Sequence, residues 1–129
     1  MALRIVRLGT PRHPKEGLRI GTVRRPPRGV PKAEFAARNY YDTWLPILAP
    51  SEALMKQGQA VETEAHWKAF VRAFKAELAR PEAQHTLALL AALSKSTDLS
   101  VGCYCEDEAR CHRSILRALL TEAGAVLAG

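Results

Sequence analysis

A chain of 129 residues, 47% of them hydrophobic, can bury one core and is too short for two ordinary domains, so a single domain spanning 1–129 is expected. No run reaches the ~18 consecutive apolar residues of a membrane-spanning helix, and Met1 to Leu8 lacks the apolar stretch of a secretory signal, which points to a cytoplasmic protein with no membrane partner. The net charge of +6 is uneven: residues 1–38 carry ten Lys and Arg against two acids, whereas the remainder carries nine against eleven, so an anionic partner is expected at the N-terminal part.

Leu3 to Leu8 alternates apolar and basic residues, and Leu18 to Val23 repeats the pattern; both read as short strands. The segment Gly9 to Gly17 between them is too short for a helical crossover, so the two strands are either antiparallel or separated within the sheet. Arg24-Arg-Pro-Pro-Arg-Gly29 is a loop, because paired prolines neither donate to a ladder nor continue a helix. Tyr40 to Leu48 has strand-compatible residues, with Pro46 restricting it to an edge or an end.

Ser51 is placed to cap a short helix that Gly58 would end. From Glu64 to Arg80, Trp67, Phe70, Val71, Phe74 and Leu78 form one apolar stripe at helical spacing, a core-facing surface with His66 outside it. A second helix opens at Pro81 and runs to about Lys95, its Leu87, Leu89, Leu90 and Leu93 spread widely enough to suggest substantial burial. Leu99 to Tyr104 returns to a strand, and Cys111 to Ala123 to a helix with Ile115, Leu116, Leu119 and Leu120 inward and Gly124 as its stop.

The three cysteines, an odd number expected as free thiols in a reducing compartment, all fall between residues 103 and 111. Strand alternation would place Cys103 and Cys105 on one face about 7 Å apart, with Tyr104 opposite. Cys111 and His112 follow at the start of the last helix, where the dipole and the neighbouring Arg110 and Arg113 favour a thiolate or a bound anion. Three chemistries fit: a zinc or iron site of Cys103, Cys105, Cys111 and His112; a reactive thiol at Cys111 or Cys105; and thiols packed inertly under the loop. Adjacent helical residues diverge, which counts against joint ligation by Cys111 and His112. Cys111 and Arg117 also match a C-x5-R phosphatase spacing, but the intervening His-Arg-Ser-Ile-Leu lacks glycine and reads as helix. Arg110, Arg113 and Arg117 form a basic stripe, offset by Glu106, Asp107 and Glu108.

Gly17-Leu-Arg-Ile20, Arg24-Arg-Pro-Pro-Arg-Gly-Val-Pro-Lys32, Trp44, Leu48-Ala-Pro-Ser51, Trp67-Lys-Ala-Phe70, Glu77-Leu78 and the terminal Cys-Tyr-Cys…Cys-His-Arg together resemble the YeaO-like family, a domain of unknown function. One departure is that typical members carry Val-Asp-Arg where this chain has Thr22-Val-Arg24. The resemblance implies a three-layer, Rossmann-like α/β domain with a small, mostly parallel sheet flanked by helices, and no established reaction. In such sheets ligands collect at the carboxyl ends of strands. An anion-binding pocket is therefore expected from Arg24, Arg25, Arg28, Cys105, Cys111, His112 and Arg113, with a phosphate-bearing or other anionic small molecule favoured over nucleic acid. Catalysis is left open, with Cys111, Cys105 and His112 as its candidate residues. The alternatives are a nucleic-acid or protein-interaction module using the basic N-terminal segment, and a Cys/His metal-binding protein.

Overall fold

The computed structural model describes residues 1–105 and 110–128. Its strands are β1 (Leu3–Arg7), β2 (Leu18–Gly21), β3 (Thr43–Trp44) and β4 (Leu99–Cys103), and its helices are α1 (Glu52–Gln59), α2 (Glu64–Leu78), α3 (Pro81–Leu93) and α4 (His112–Glu122). All strand pairings are parallel, in the order β1-β4-β2-β3. Of the two arrangements open to β1 and β2, separation is the one realised: β4 inserts between them. The ten residues 8–17 span up to about 33 Å, enough to climb back one strand of ~15 Å and cross two strand spacings of about 4.8 Å each.

Register explains the layering. Leu3, Leu99 and Leu18 align, as do Ile5, Val101 and Ile20. Leu3, Ile5, Ile20, Leu99 and Val101 share one sheet face, and there they meet Leu54 of α1, Phe70, Phe74 and Leu78 of α2, Leu87 and Leu90 of α3, and Ile115, Leu116 and Leu120 of α4 in one continuous core. The opposite face is covered by the segment 9–17 and by residues around the 3₁₀ turn Lys32–Glu34, including Phe35 and Tyr41. Gly21 makes room for that cover, since a Cβ there would stand 2.4 Å from the Tyr41 ring. These are the three layers of an α/β domain with a parallel sheet. Among the described residues, no helix is long and apolar enough to cross a membrane.

The helices largely follow their local signals. Ser51 and Thr63 cap α1 and α2, accepting from the backbone N–H groups of Leu54 and His66, and Pro81 opens α3. Gly58 does not end α1; it lies inside the helix, where a Cβ would come within 2.9 Å of Phe70. The strand expected over Tyr40 to Leu48 shrinks to Thr43–Trp44, because Pro46 begins a 3₁₀ turn. Leu89 and Leu93 are 58% and 37% exposed, so α3 buries one side only.

Beneath the sheet, Arg19 and Glu16 form a buried ion pair, Arg19 Nη2 donating to Glu16 at 2.9 Å while Nε donates to the other carboxylate oxygen. Arg19 Nη1 donates to the carbonyls of Thr10 and Asn39, and Ser100 Oγ donates to Glu16 at 2.8 Å. This network bolts two covering loops to β2 and β4. Burial opposes ionisation of Glu16, but bonds from Arg19, Ser100 and the His13 N–H outweigh it and hold the carboxyl below its ordinary range. A carboxyl so depressed adds stability above its unfolded value of ~4.3 and loses that contribution as pH falls through the lower folded value. Replacing Arg19 by Met is expected to cost about 3–5 kcal/mol at neutral pH. Urea unfolding should show the gap between the wild type and the variant narrowing at pH 3.

Candidate functional site

Strand β4 ends at Cys103, and α4 begins at His112 with Cys111 as its N-cap. Cys111 has extended backbone angles, φ −122° and ψ 154°, so it is not a helical neighbour of His112. The objection to a shared role therefore lapses: Cys111 Sγ lies 3.8 Å from His112 Nδ1 and 2.6 Å from Cys103 Sγ. Cys103 and Cys111 are buried, whereas Cys105 is exposed.

His112 is oriented from its far side. Its Nε2 is 2.7 Å from the carbonyl oxygen of Thr22, just past the end of β2, and Phe74 meets the ring edge-on at 5.8 Å. A carbonyl only accepts, so in the neutral ring Nε2 carries the proton and Nδ1 turns its lone pair toward Cys111. That lone pair can take a proton or hold a metal. Thr22 is itself held, its N–H and hydroxyl both donating to Gly102 O at 3.0 Å.

Cys105 lies beyond the last strand residue, where alternation no longer sets its direction, and its thiol lines the same cleft as Cys103 and Cys111. The neighbouring thiols, Cys103 foremost and then Cys111, together with the Arg113 charge, pull the Cys105 thiol down to about 3. Cys103 is pushed the opposite way by its bonds to Cys105 and Cys111 and by burial, which makes it a thiol donor to an ionised neighbour.

A cleft of about 910 Å³ opens over this junction, lined by the loop from Val23 to Arg28, by Met55 and Lys56 of α1, by Trp67 and Phe70 of α2, and by Cys103, Tyr104, Cys105, Arg110, Cys111 and His112. The Arg-Pro loop and the cysteine segment thus share one site at the carboxyl end of the sheet. Tyr104 joins them directly, its hydroxyl donating to the Arg25 carbonyl at 3.0 Å.

The arginines divide. Arg24 donates to the carbonyls of Pro50 and Ala49, and Arg25 pairs with Glu52 at 2.8 Å. Arg28 is exposed at the cleft wall. Arg113 is buried and donates to the Cys105 carbonyl at 2.6 Å, which anchors the thiol's backbone. The basic stripe is not uniform: exposed Arg110 pairs with Glu64 at 2.6 Å and sits 5.4 Å over Trp67, Arg113 is buried, and Arg117 is half-buried. Glu106, Asp107 and Glu108 lie outside the described residues. Residues 112–117 are helical, as the C-x5-R spacing required if it was not a phosphate loop. Val23, which stands where typical YeaO-like chains carry an acid, packs in one apolar cluster with Cys103 and Cys111.

Lys56 and Thr22 also belong to this site and have no role in it legible from sequence, which marks Trp67 only as a core-facing residue. Lys56 lies in the C-terminal half of α1, but its nearness to the cysteines, some fifty residues on, leaves no local trace.

Cys103, Cys111 and His112 place their ligand atoms within 4.8 Å of one another and could hold a metal ion. Two sulfurs on one tetrahedral zinc, each bonded at about 2.3 Å, would stand roughly 3.7 Å apart, so the pair would have to spread to admit it. Substituting His112 by Ala is expected to cost about 1–3 kcal/mol, because the buried Thr22 carbonyl loses its donor, and a lowered urea midpoint would record it.

A family model described as the active DUF488-N3 subclade matches residues 3–124. No curated protein and no solved structure matches the chain.

Proposed function

The chain belongs to the DUF488 family, a domain of unknown function that includes the YeaO-like proteins, and we propose that this member is a thiol-dependent enzyme acting on an anionic small molecule. One observation carries the reading: an exposed thiol, Cys105, and a buried pair of thiols, Cys103 and Cys111, line one cleft together with basic groups. In this reading Cys105 is the nucleophile. Its thiolate form is favoured without a dedicated base, because the neighbouring thiols and the Arg113 charge lower its pKa. Cys111 and His112 stand behind it; the Nδ1 lone pair can take the Cys111 proton when a second thiol is needed. Arg113 holds the Cys105 backbone, and the remaining cations of the rim attract the substrate. Free thiols in this arrangement belong in a reducing compartment, and we place the protein in the cytoplasm.

A second reading, a zinc or iron site on Cys103, Cys111 and His112, draws on the Nδ1 lone pair being aimed by the Thr22 carbonyl, as metal-binding histidines are by their outer partners. Metal analysis of the purified chain separates the two: near-stoichiometric zinc or iron favours the metal, and full stability without it favours the thiol enzyme. The nucleic-acid reading is weaker, since of the basic N-terminal residues Arg19 is buried with Glu16, Arg12 pairs with Asp42 at 2.8 Å, and Arg24 binds backbone carbonyls. Salt-dependent retention on DNA or RNA would favour it.

Alkylation by iodoacetamide, with the modified site mapped by mass spectrometry, tests the thiol reading. An ordinary thiol near ~8.5 is only about a thousandth ionised at pH 5.5. Cys105 should react there almost as fast as at pH 8, and Cys105→Ser should abolish the fast phase. A rate at Cys105 that climbs tenfold per pH unit up to ~8.5 would overturn the proposal.

A further inference from the structure

The cleft is larger than a simple inorganic anion requires, and much of its wall is carbon. Its volume of about 910 Å³ lies toward the upper end of the ~300–1,000 Å³ typical of small-molecule sites. Inorganic phosphate would leave most of that space to water. Tyr40, Met55, Trp67, Phe70 and Tyr104 supply an aromatic and apolar lining, with Trp67 and Phe70 stacked at 5.4 Å and Tyr40 edge-on to Tyr104 at 6.2 Å. Such surfaces take up a flat, weakly polar body through ring faces and edges.

The charged part of the lining is also selective. Five of its residues are basic: Arg24, Arg25, Arg28, Lys56 and Arg110. Three have internal duties, Arg24 to the Pro50 corner, Arg25 to Glu52 and Arg110 to Glu64. Among the described residues, no carboxylate or carbonyl takes up the side chain of Arg28 or Lys56, and both are exposed at the cleft wall. One guanidinium and one ammonium suit a doubly charged phosphate, the first by its planar fork and the second as a point charge.

We infer that the ligand is a phosphate monoester carried on a planar aromatic body, of which a nucleoside monophosphate is the representative: the phosphate meets Arg28 and Lys56, and the ring lies along the wall formed by Met55, Trp67 and Tyr104. This deepens the reading of the cleft as the substrate site and rests on it. The ring sits beside Cys105, so an occupied cleft shields that thiol.

Titration calorimetry on the full chain, with adenosine 5′-monophosphate, adenosine and inorganic phosphate as probes, tests the inference. The monophosphate should bind at least about tenfold more tightly than either fragment, since each fragment forfeits one half of the contacts. Arg28→Ala together with Lys56→Ala should weaken it by about tenfold or more, while the urea midpoint stays put because both side chains are exposed. Saturating monophosphate should also slow Cys105 alkylation. Absence of binding at millimolar ligand, or inorganic phosphate binding as tightly as the monophosphate, would overturn the inference. Either result alongside pH-independent alkylation removes the ligand assignment and spares the thiol reading. Tight monophosphate binding with ordinary thiol titration supports the ligand assignment and removes the thiol enzyme.

Discussion

Strand β4 has a hydrogen-bonded neighbour on each edge and a buried residue at each of its five positions. A strand so enclosed must be apolar or small throughout, and Leu99, Ser100, Val101, Gly102 and Cys103 meet that condition. Gly102 has no spare room: a Cβ there would lie 2.5 Å from the Val6 carbonyl. Because both neighbours run parallel to β4, the ends of β1, β2 and β4 emerge on the same side, and the loops that follow β2 and β4 meet there. The cleft is a consequence of that direction.

Two polar clusters border the central strand, and they differ in what they leave over. On the covered face, Glu16 and Arg19 bind each other, Ser100 and two loop carbonyls, an arrangement in which buried charge is matched by opposite charge and hydrogen bonds. At the strand's end the donors and acceptors are softer and less completely matched. Cys103 and Cys111 share a proton, His112 turns a ring nitrogen toward Cys111, and Arg113 reaches the Cys105 carbonyl from the first turn of α4. The first cluster holds loops in place; the second leaves a thiol, Cys105, exposed at the cleft.

Elements governed by neighbours in sequence were legible in advance. The Trp67 to Leu78 stripe, the Ser51 cap, the Pro81 start and the Leu99 strand each depend on spacing or on a single residue's backbone preference. The departures arise where a distant residue intervenes. Gly58 reads as a helix stop until Phe70 packs against it, and Leu89 reads as core until α3 is seen to bury one side only. In the site, adjacency of Cys111 and His112 argued against cooperation under helical geometry, but the N-cap residue is extended, and that one change of backbone angle brings their ligand atoms together.

Local pattern alone determined the helices, the strand before the cysteines and the residue types available for chemistry, because periodicity and capping act within a turn or a strand. Only the tertiary structure decided that β4 separates β1 from β2, that Arg24, Arg25 and Arg113 anchor protein groups while Arg28 and Lys56 face the cleft, and that Cys105 is the exposed thiol. Those outcomes depend on distant partners, as when Leu3 of β1 pairs with Leu99 of β4, and no window along the chain contains both sides of such a contact.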